Sequence, residues 1–166
     1  MNDSYKEILV KRQTPVGMRV LKGALIGLTV LSLVAGLLMW PLLIVGAILI
    51  AVDYFVVPKF DVEYEYLFVN GEFDIDMVMA KSKRKSVKSF NLSEADLVAP
   101  LNSHRMDYYN GNQNMKVLDY SSGNPQHKRF GVITRLDNAT CKIILEPDEA
   151  LAQAMKKTAP SKVFLD

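Results

Sequence analysis

Phe60–Met79, FDVEYEYLFVNGEFDIDMVM, carries the clearest structural signal in this chain of 166 residues. Phe60, Val62, Tyr64, Tyr66 and Phe68 alternate with Asp61, Glu63, Glu65, Leu67 and Val69. That is the period of two of a strand with one buried face. Asn70-Gly71 follows, the pair favoured in a two-residue hairpin turn because both positions want positive φ. Beyond it Phe73, Ile75, Met77 and Met79 alternate with Glu72, Asp74, Asp76 and Val78. A two-residue turn sets Phe68 opposite Phe73, Tyr66 opposite Ile75 and Tyr64 opposite Met77, which makes one apolar face. The other face gathers Asp61, Glu63, Glu65, Glu72, Asp74 and Asp76. In that register Glu65 opposes Asp76, and like charges directly opposed are destabilising, so a counter-charge is expected. The acidic face reads first as solvated and neutralised by nearby Lys or Arg, and next as a docking surface for a basic protein partner. Calcium suits it poorly, because such sites draw oxygen ligands from a curved loop.

Toward the N-terminus the character changes sharply. Residues 23–52 carry no charge, and Tyr54–Val57 extends the apolar run to Pro58. One helix over those thirty uncharged residues would be about 45 Å long, against a hydrocarbon core of about 30 Å. Trp40-Pro41 lies near the middle. Proline is favoured in the first turn of a helix and costly in its interior, and Trp favours the membrane boundary. The run therefore reads as a helical hairpin, about 18–39 and 41–57, with a tight turn at 39–41. Small residues at Gly23/Gly27, Ser32/Gly36 and Ala47/Ala51 suit close packing of the arms. Arg19 and Lys22 are expected to extend their charges outward along their alkyl stems, and Asp53 to sit at the interface.

Charge sets the expected orientation. Residues 1–22 hold Lys6, Lys11, Arg12, Arg19 and Lys22 against Asp3 and Glu7, while Lys59 and the cluster Lys81–Lys88 follow the second arm. Both flanks are basic, so the positive-inside rule places both termini in the cytoplasm. A cleaved signal peptide is not expected, since the apolar run is too long and no small-residue cleavage site follows it. The organisation is then a basic cytoplasmic leader (1–17), a transmembrane hairpin (18–57) and a cytoplasmic domain (58–166) close to the bilayer. The last 114 residues hold fifteen basic and sixteen acidic residues, which gives little support to nucleic-acid binding.

Further strands are expected at about 85–92, 115–121, 128–136 and 140–146. Ser93 reads as the N-cap of a helical turn, residues 102–114 as a polar loop, and 121–125 as a turn. A final helix opens at Pro147 with Asp148 and Glu149 in its first turn, carries Leu151, Ala154 and Met155 as its apolar stripe, and stops before Pro160. The layout is an antiparallel meander closed by a C-terminal helix, an α+β domain.

Catalytic chemistry is thinly represented. His104 near Asp107 is a possible general-base pair without a nucleophile in a known motif. His127 falls in a turn and is expected to be exposed. Cys141, the one cysteine, excludes an intramolecular disulfide and reads as a small core residue. Two isolated histidines and one cysteine make no standard zinc site, no phosphate-binding glycine loop is present, and no cofactor is expected. Asn91 and Asn138 head glycosylation triplets, which a cytoplasmic domain leaves unmodified. Lys81, Lys83, Arg84 and Lys85 form the densest basic cluster and are the candidate contacts for anionic lipid headgroups.

Two membrane arms followed by an alternating strand, a turn, a basic run and an apolar strand resemble bacterial pleckstrin-homology-type membrane proteins. More closely, the chain resembles a family of small Gram-positive two-helix membrane proteins of unknown function. The residues that carry the match are Val62–Tyr66, Val69–Glu72 with Asp74–Asp76, Lys81–Lys85, Ala99–Arg105, Asp119–Gly123, Glu146–Asp148 and Lys162–Asp166. The resemblance implies a pleckstrin-homology-like roll and brings no catalytic residues. The expected function is a non-catalytic integral membrane protein whose cytoplasmic domain binds a protein partner or anionic headgroups. The alternative is a structural subunit of a larger membrane complex or homo-oligomer.

Overall fold

The computed structural model describes residues 5–112, 114–136 and 139–166, so Asp3, Gln113 and Asn138 lie outside the described residues. The elements run β1 (Lys6–Lys11), α1 (Val16–Gly36), α2 (Pro41–Val56), β2 (Val62–Val69), β3 (Glu72–Met79) and β4 (Lys83–Asn91). They continue with β5 (Leu97–Pro100), α3 (Asp107–Gly111), β6 (Lys116–Asp119), β7 (Phe130–Leu136), β8 (Ala139–Leu145) and α4 (Glu149–Thr158). Two compact units emerge. One holds the helices with the β3–β4 turn (Thr14–Val62, Val78–Lys83), and the other holds the sheets, from residues up to Gln13, Glu63–Met77 and Arg84–Asp166.

In the helical unit, α1 and α2 with its short 3-10 continuation to Phe60 are long and apolar enough to cross a membrane. Pro41 takes the first position of α2, where its missing N–H is no loss. The arms touch at glycines near the turn. A Cβ built on Gly36 falls 2.5 Å from Leu43 Cδ2, and one on Gly46 falls 2.6 Å from Leu33 Cδ2. Ser32 Oγ donates to Leu42 O at 3.0 Å across the pair. Gly23 and Gly27 face open space instead, so their spacing does not mark the contact between the arms. At the opposite end Lys22 Nζ meets Asp61 Oδ2 at 2.7 Å, and Thr14 Oγ1 donates to Phe60 O at 2.9 Å. Arg19 Nε turns back to Thr14 O at 3.0 Å. Lys22 thus ties the hairpin ends together and Arg19 folds back onto the chain just before α1, rather than both simply reaching outward. Asp53 is turned toward α1, its Oδ2 lying 2.7 Å from Thr29 Oγ1.

In the sheet unit one four-stranded sheet has the order β1-β2-β3-β4 and the other β5-β7-β8-β6. β1 comes from the leader: it pairs antiparallel with β2, Ile8 opposite Tyr66 and Val10 opposite Tyr64. β7 runs antiparallel to β5 and β8, whereas β6 lies parallel to β8. Asn70 and Gly71 take φ of 51° and 96°, the positive values the β2–β3 turn requires. Tyr64, Tyr66, Phe68, Phe73 and Ile75 are buried, as their alternation requires. Phe73 stacks on Phe90 with ring centroids 5.2 Å apart. Tyr66 joins the sheets, donating to Tyr120 O and accepting from Glu146 N at 3.3 Å. Burial pushes its phenol well above the ordinary value.

Local corrections are small. Asn91, not Ser93, caps the 3-10 turn Leu92–Glu94, accepting from Ser93 N at 2.9 Å. The polar stretch after residue 102 holds a 3-10 turn, His104–Met106, leading into α3. Asp148, rather than Pro147, opens α4 as its N-cap, accepting from Leu151 N at 2.7 Å. Leu151, Ala152, Ala154 and Met155 are buried, and the tail is held by Phe164, with Arg105 3.9 Å and Lys156 5.0 Å from its ring centre. Cys141 is buried, its Sγ 3.5 Å from Thr134 O.

Candidate membrane-interface site

The β3–β4 turn places Lys81 at its tip. Ala80 and Lys81 both adopt left-handed backbone, φ 48° and 58°, which disfavours any residue with a Cβ by about 1–2 kcal/mol. Two contacts hold the turn against the end of the hairpin. Ala80 N donates to Asp61 O at 2.9 Å, and the Lys83 ammonium lies 5.8 Å from the centre of the Tyr54 ring. Beside them a cavity of about 370 Å³ opens between Ile26, Tyr54, Val57 and Pro58, with Asp53 and Lys83 on its wall.

Strand alternation divides the basic run. Lys81, Lys83 and Lys85 are exposed. Arg84 points to the other face of β4, where its Nη2 meets Glu65 Oε2 at 2.7 Å. It is the counter-charge that the acidic face demanded. The six acidic residues do not act as one surface. Asp61 is engaged with Lys22, Glu65 is buried beneath Arg84, Glu63 stands opposite Lys11 of β1, and Glu72, Asp74 and Asp76 remain at least partly accessible. Among the described residues no three His, Cys, Asp or Glu side chains are grouped to hold a metal ion.

Desolvation lifts the Glu65 carboxyl above the ordinary range. A hydrogen bond with Glu7 adds to the rise, Arg84 opposes it, and Asp76 reinforces it. Glu7 is held lower, chiefly by the Tyr5 hydroxyl, which sits 2.5 Å from its Oε2. A carboxyl raised in the folded state stabilises the fold when protonated and loses that contribution as pH rises from the ordinary value of about 4.3 through the folded one. Glu65→Gln, which keeps the shape without the charge, is therefore expected to raise the melting temperature at pH 7. The gain should shrink toward pH 4, where the parent residue is mostly protonated in both states. Thermal unfolding at the two pH values reads this directly, and an equal shift at both would contradict it.

The other polar constellations have different geometry. His104 Nδ1 lies 3.2 Å from Asp107 Oδ2, but the imidazole is entirely in solvent and the carboxylate mostly so. The pair therefore lacks the enclosure a general base would use. A cluster not anticipated from the sequence joins His127 to Glu146. His127 Nδ1 is 2.6 Å from Glu146 Oε1, and Ser122 Oγ donates to Glu146 Oε2 at 2.6 Å. His127 is half exposed, and the same nitrogen faces Ser122 Oγ at 3.4 Å. A nucleophile relay needs the imidazole between hydroxyl and carboxylate, one nitrogen to each. Here the carboxylate takes the hydroxyl itself and ties down the loop from Ser121 to His127.

Two helices long and apolar enough to cross a membrane, followed by two four-stranded sheets and a C-terminal helix, give the layout of a bacterial pleckstrin-homology-like protein. The chain belongs to the family described as Bacterial PH-like domain (DUF6106), whose model matches residues 2–165. No curated protein and no solved structure matches it.

Proposed function

We propose that this is an integral membrane protein whose hairpin anchors a non-catalytic pleckstrin-homology-like domain, both termini cytoplasmic, and whose β3–β4 turn contacts anionic headgroups of the inner leaflet. The observation that carries the reading is the seating of the basic turn on the end of the hairpin, through Ala80 N to Asp61 O and Lys83 over Tyr54. Lys81, Lys83 and Lys85 are the contacts, each contributing about 1 kcal/mol beside an anionic surface, while Arg84 serves Glu65 on the other face. The accessible acids Glu72, Asp74 and Asp76 are left for a basic partner.

The test uses the full chain in nanodiscs of phosphatidylcholine, with and without phosphatidylglycerol. Amide exchange over residues 80–85 is expected to slow several-fold with the anionic lipid. High salt, or joint replacement of Lys81, Lys83 and Lys85 by Gln, should abolish the difference, and Arg84→Gln should leave it. Identical exchange in both lipids would refute the reading.

A further inference from the structure

The cavity beside the turn has a chemistry that the basic cluster does not account for. Its wall brings a carboxylate and an ammonium together over an apolar floor, Asp53 and Lys83 with Ile26, Val57 and Pro58. Asp53 sits in the last turn of α2. An ionisable residue at such a place in a membrane helix is expensive and marks a site whose partner should be identifiable. Thr29 satisfies one of its oxygens, at 2.7 Å from Oδ2. The other, Oδ1, is buried and has no hydrogen-bond donor among the described residues, a deficit of about 1–3 kcal/mol. The terminal torsion of an aspartate is broad, so a partial turn brings one carboxylate oxygen to the cavity at the expense of the Thr29 contact.

We infer that the cavity binds the headgroup of a zwitterionic aminophospholipid, its primary ammonium on Asp53 and its phosphate on Lys83. The charges select this class. A phosphate alone meets Lys83 but is repelled by Asp53, and an amine alone leaves Lys83 unmatched. A quaternary ammonium carries charge but no N–H, so it leaves the orphan acceptor unsatisfied. The apolar floor is continuous with the exposed Tyr54 of the helix surface and suits the glycerol and upper acyl chain, which commits the site to a membrane lipid. The inference rests on the membrane reading of the hairpin, but not on anionic attraction at the turn.

The test is native mass spectrometry of the full chain in mild detergent, offered equal amounts of phosphatidylethanolamine, phosphatidylcholine and phosphatidylglycerol. A charge-assisted hydrogen bond is worth about 1.5–3 kcal/mol, so the ethanolamine lipid should be retained at least about ten-fold over the choline lipid. Asp53→Asn should bring that ratio close to one, whereas Lys83→Gln should lower retention of all three lipids and leave the ratio. Equal retention of ethanolamine and choline lipids by the unaltered chain would overturn the site with no variant needed, as would an undiminished preference in Asp53→Asn. Displacement of the lipid by equimolar glycerophosphoethanolamine would overturn the assignment to a membrane lipid. Loss of the phosphatidylglycerol effect on turn exchange, with the ethanolamine preference intact, would discard the anionic reading alone.

Discussion

Phe73→Ala is expected to destabilise the sheet unit by about 3–5 kcal/mol. The ring is wholly buried, with Tyr66, Phe68 and Phe90 at centroid distances of 5.6, 5.9 and 5.2 Å. Truncation removes apolar burial and three aromatic contacts, and leaves a void that the strand backbone cannot close. Against a typical total of about 5–15 kcal/mol, that is a large fraction. Phe73→Leu fills most of the space and should cost clearly less. Urea unfolding followed by tyrosine near-UV dichroism is the suitable probe, because the single tryptophan, Trp40, sits in the turn of the hairpin. A midpoint unchanged by Phe73→Ala would mean that the aromatic cluster is not the core.

Gly36→Val is expected to disrupt the hairpin, at about 1–3 kcal/mol of overpacking. Its Cβ would lie 2.5 Å from Leu43 Cδ2 and 3.0 Å from the Leu43 backbone nitrogen. The side chain can move, but the backbone nitrogen can yield only by opening the turn. Gly46→Ala should be milder, since the close atom is the end of the Leu33 side chain and the Leu33 backbone nitrogen is 3.6 Å away. Gly27→Val meets nothing within 4 Å and serves as the control. Thermal loss of helical dichroism in detergent, with Trp40 emission, separates the three. Equal effects of Gly36→Val and Gly27→Val would contradict this packing.

The β2–β3 hairpin and the helical hairpin were legible because each combines a strong periodic or compositional signal with its own turn chemistry, Asn70-Gly71 in one and Trp40-Pro41 in the other. β1 was not. Its six residues carry three charges, Lys6, Glu7 and Lys11, and were absorbed into the basic flank, although Ile8 and Val10 alternate as a strand requires. β5 is four residues ending in Pro100, too short for periodicity to register. The parallel pairing of β6 with β8 depends on contacts between distant segments that no local pattern encodes. The glycine pair at 23 and 27 misled for a related reason. Small residues four apart mark a face of a helix, not what covers it, and the tight turn brings the arms together nearest Gly36 and Gly46.

At the candidate site the basic run was visible, but its division was not, because β4 begins at Lys83 rather than at the last residue of the run, Lys85. Once strand geometry applies, Arg84 must point away from Lys83 and Lys85, and it finds the acidic face that lacked a counter-charge. Asp53 was visible as a charge near the end of the second arm, but its contact with Thr29 was not. The cluster of Ser122, His127 and Glu146 joins residues from different segments, so only the fold reveals it.

The most direct test of the membrane-hairpin reading is topology. Compartment-sensitive reporters fused, separately, before Met1 and after Asp166 of the full chain should both report the cytoplasm. That result places the sheets, the basic turn and the Asp53–Lys83 cavity on the inner-leaflet side. Reporters on opposite sides of the membrane would mean a single bent or tilted span, and would contradict the anchor on which the proposed lipid contacts depend.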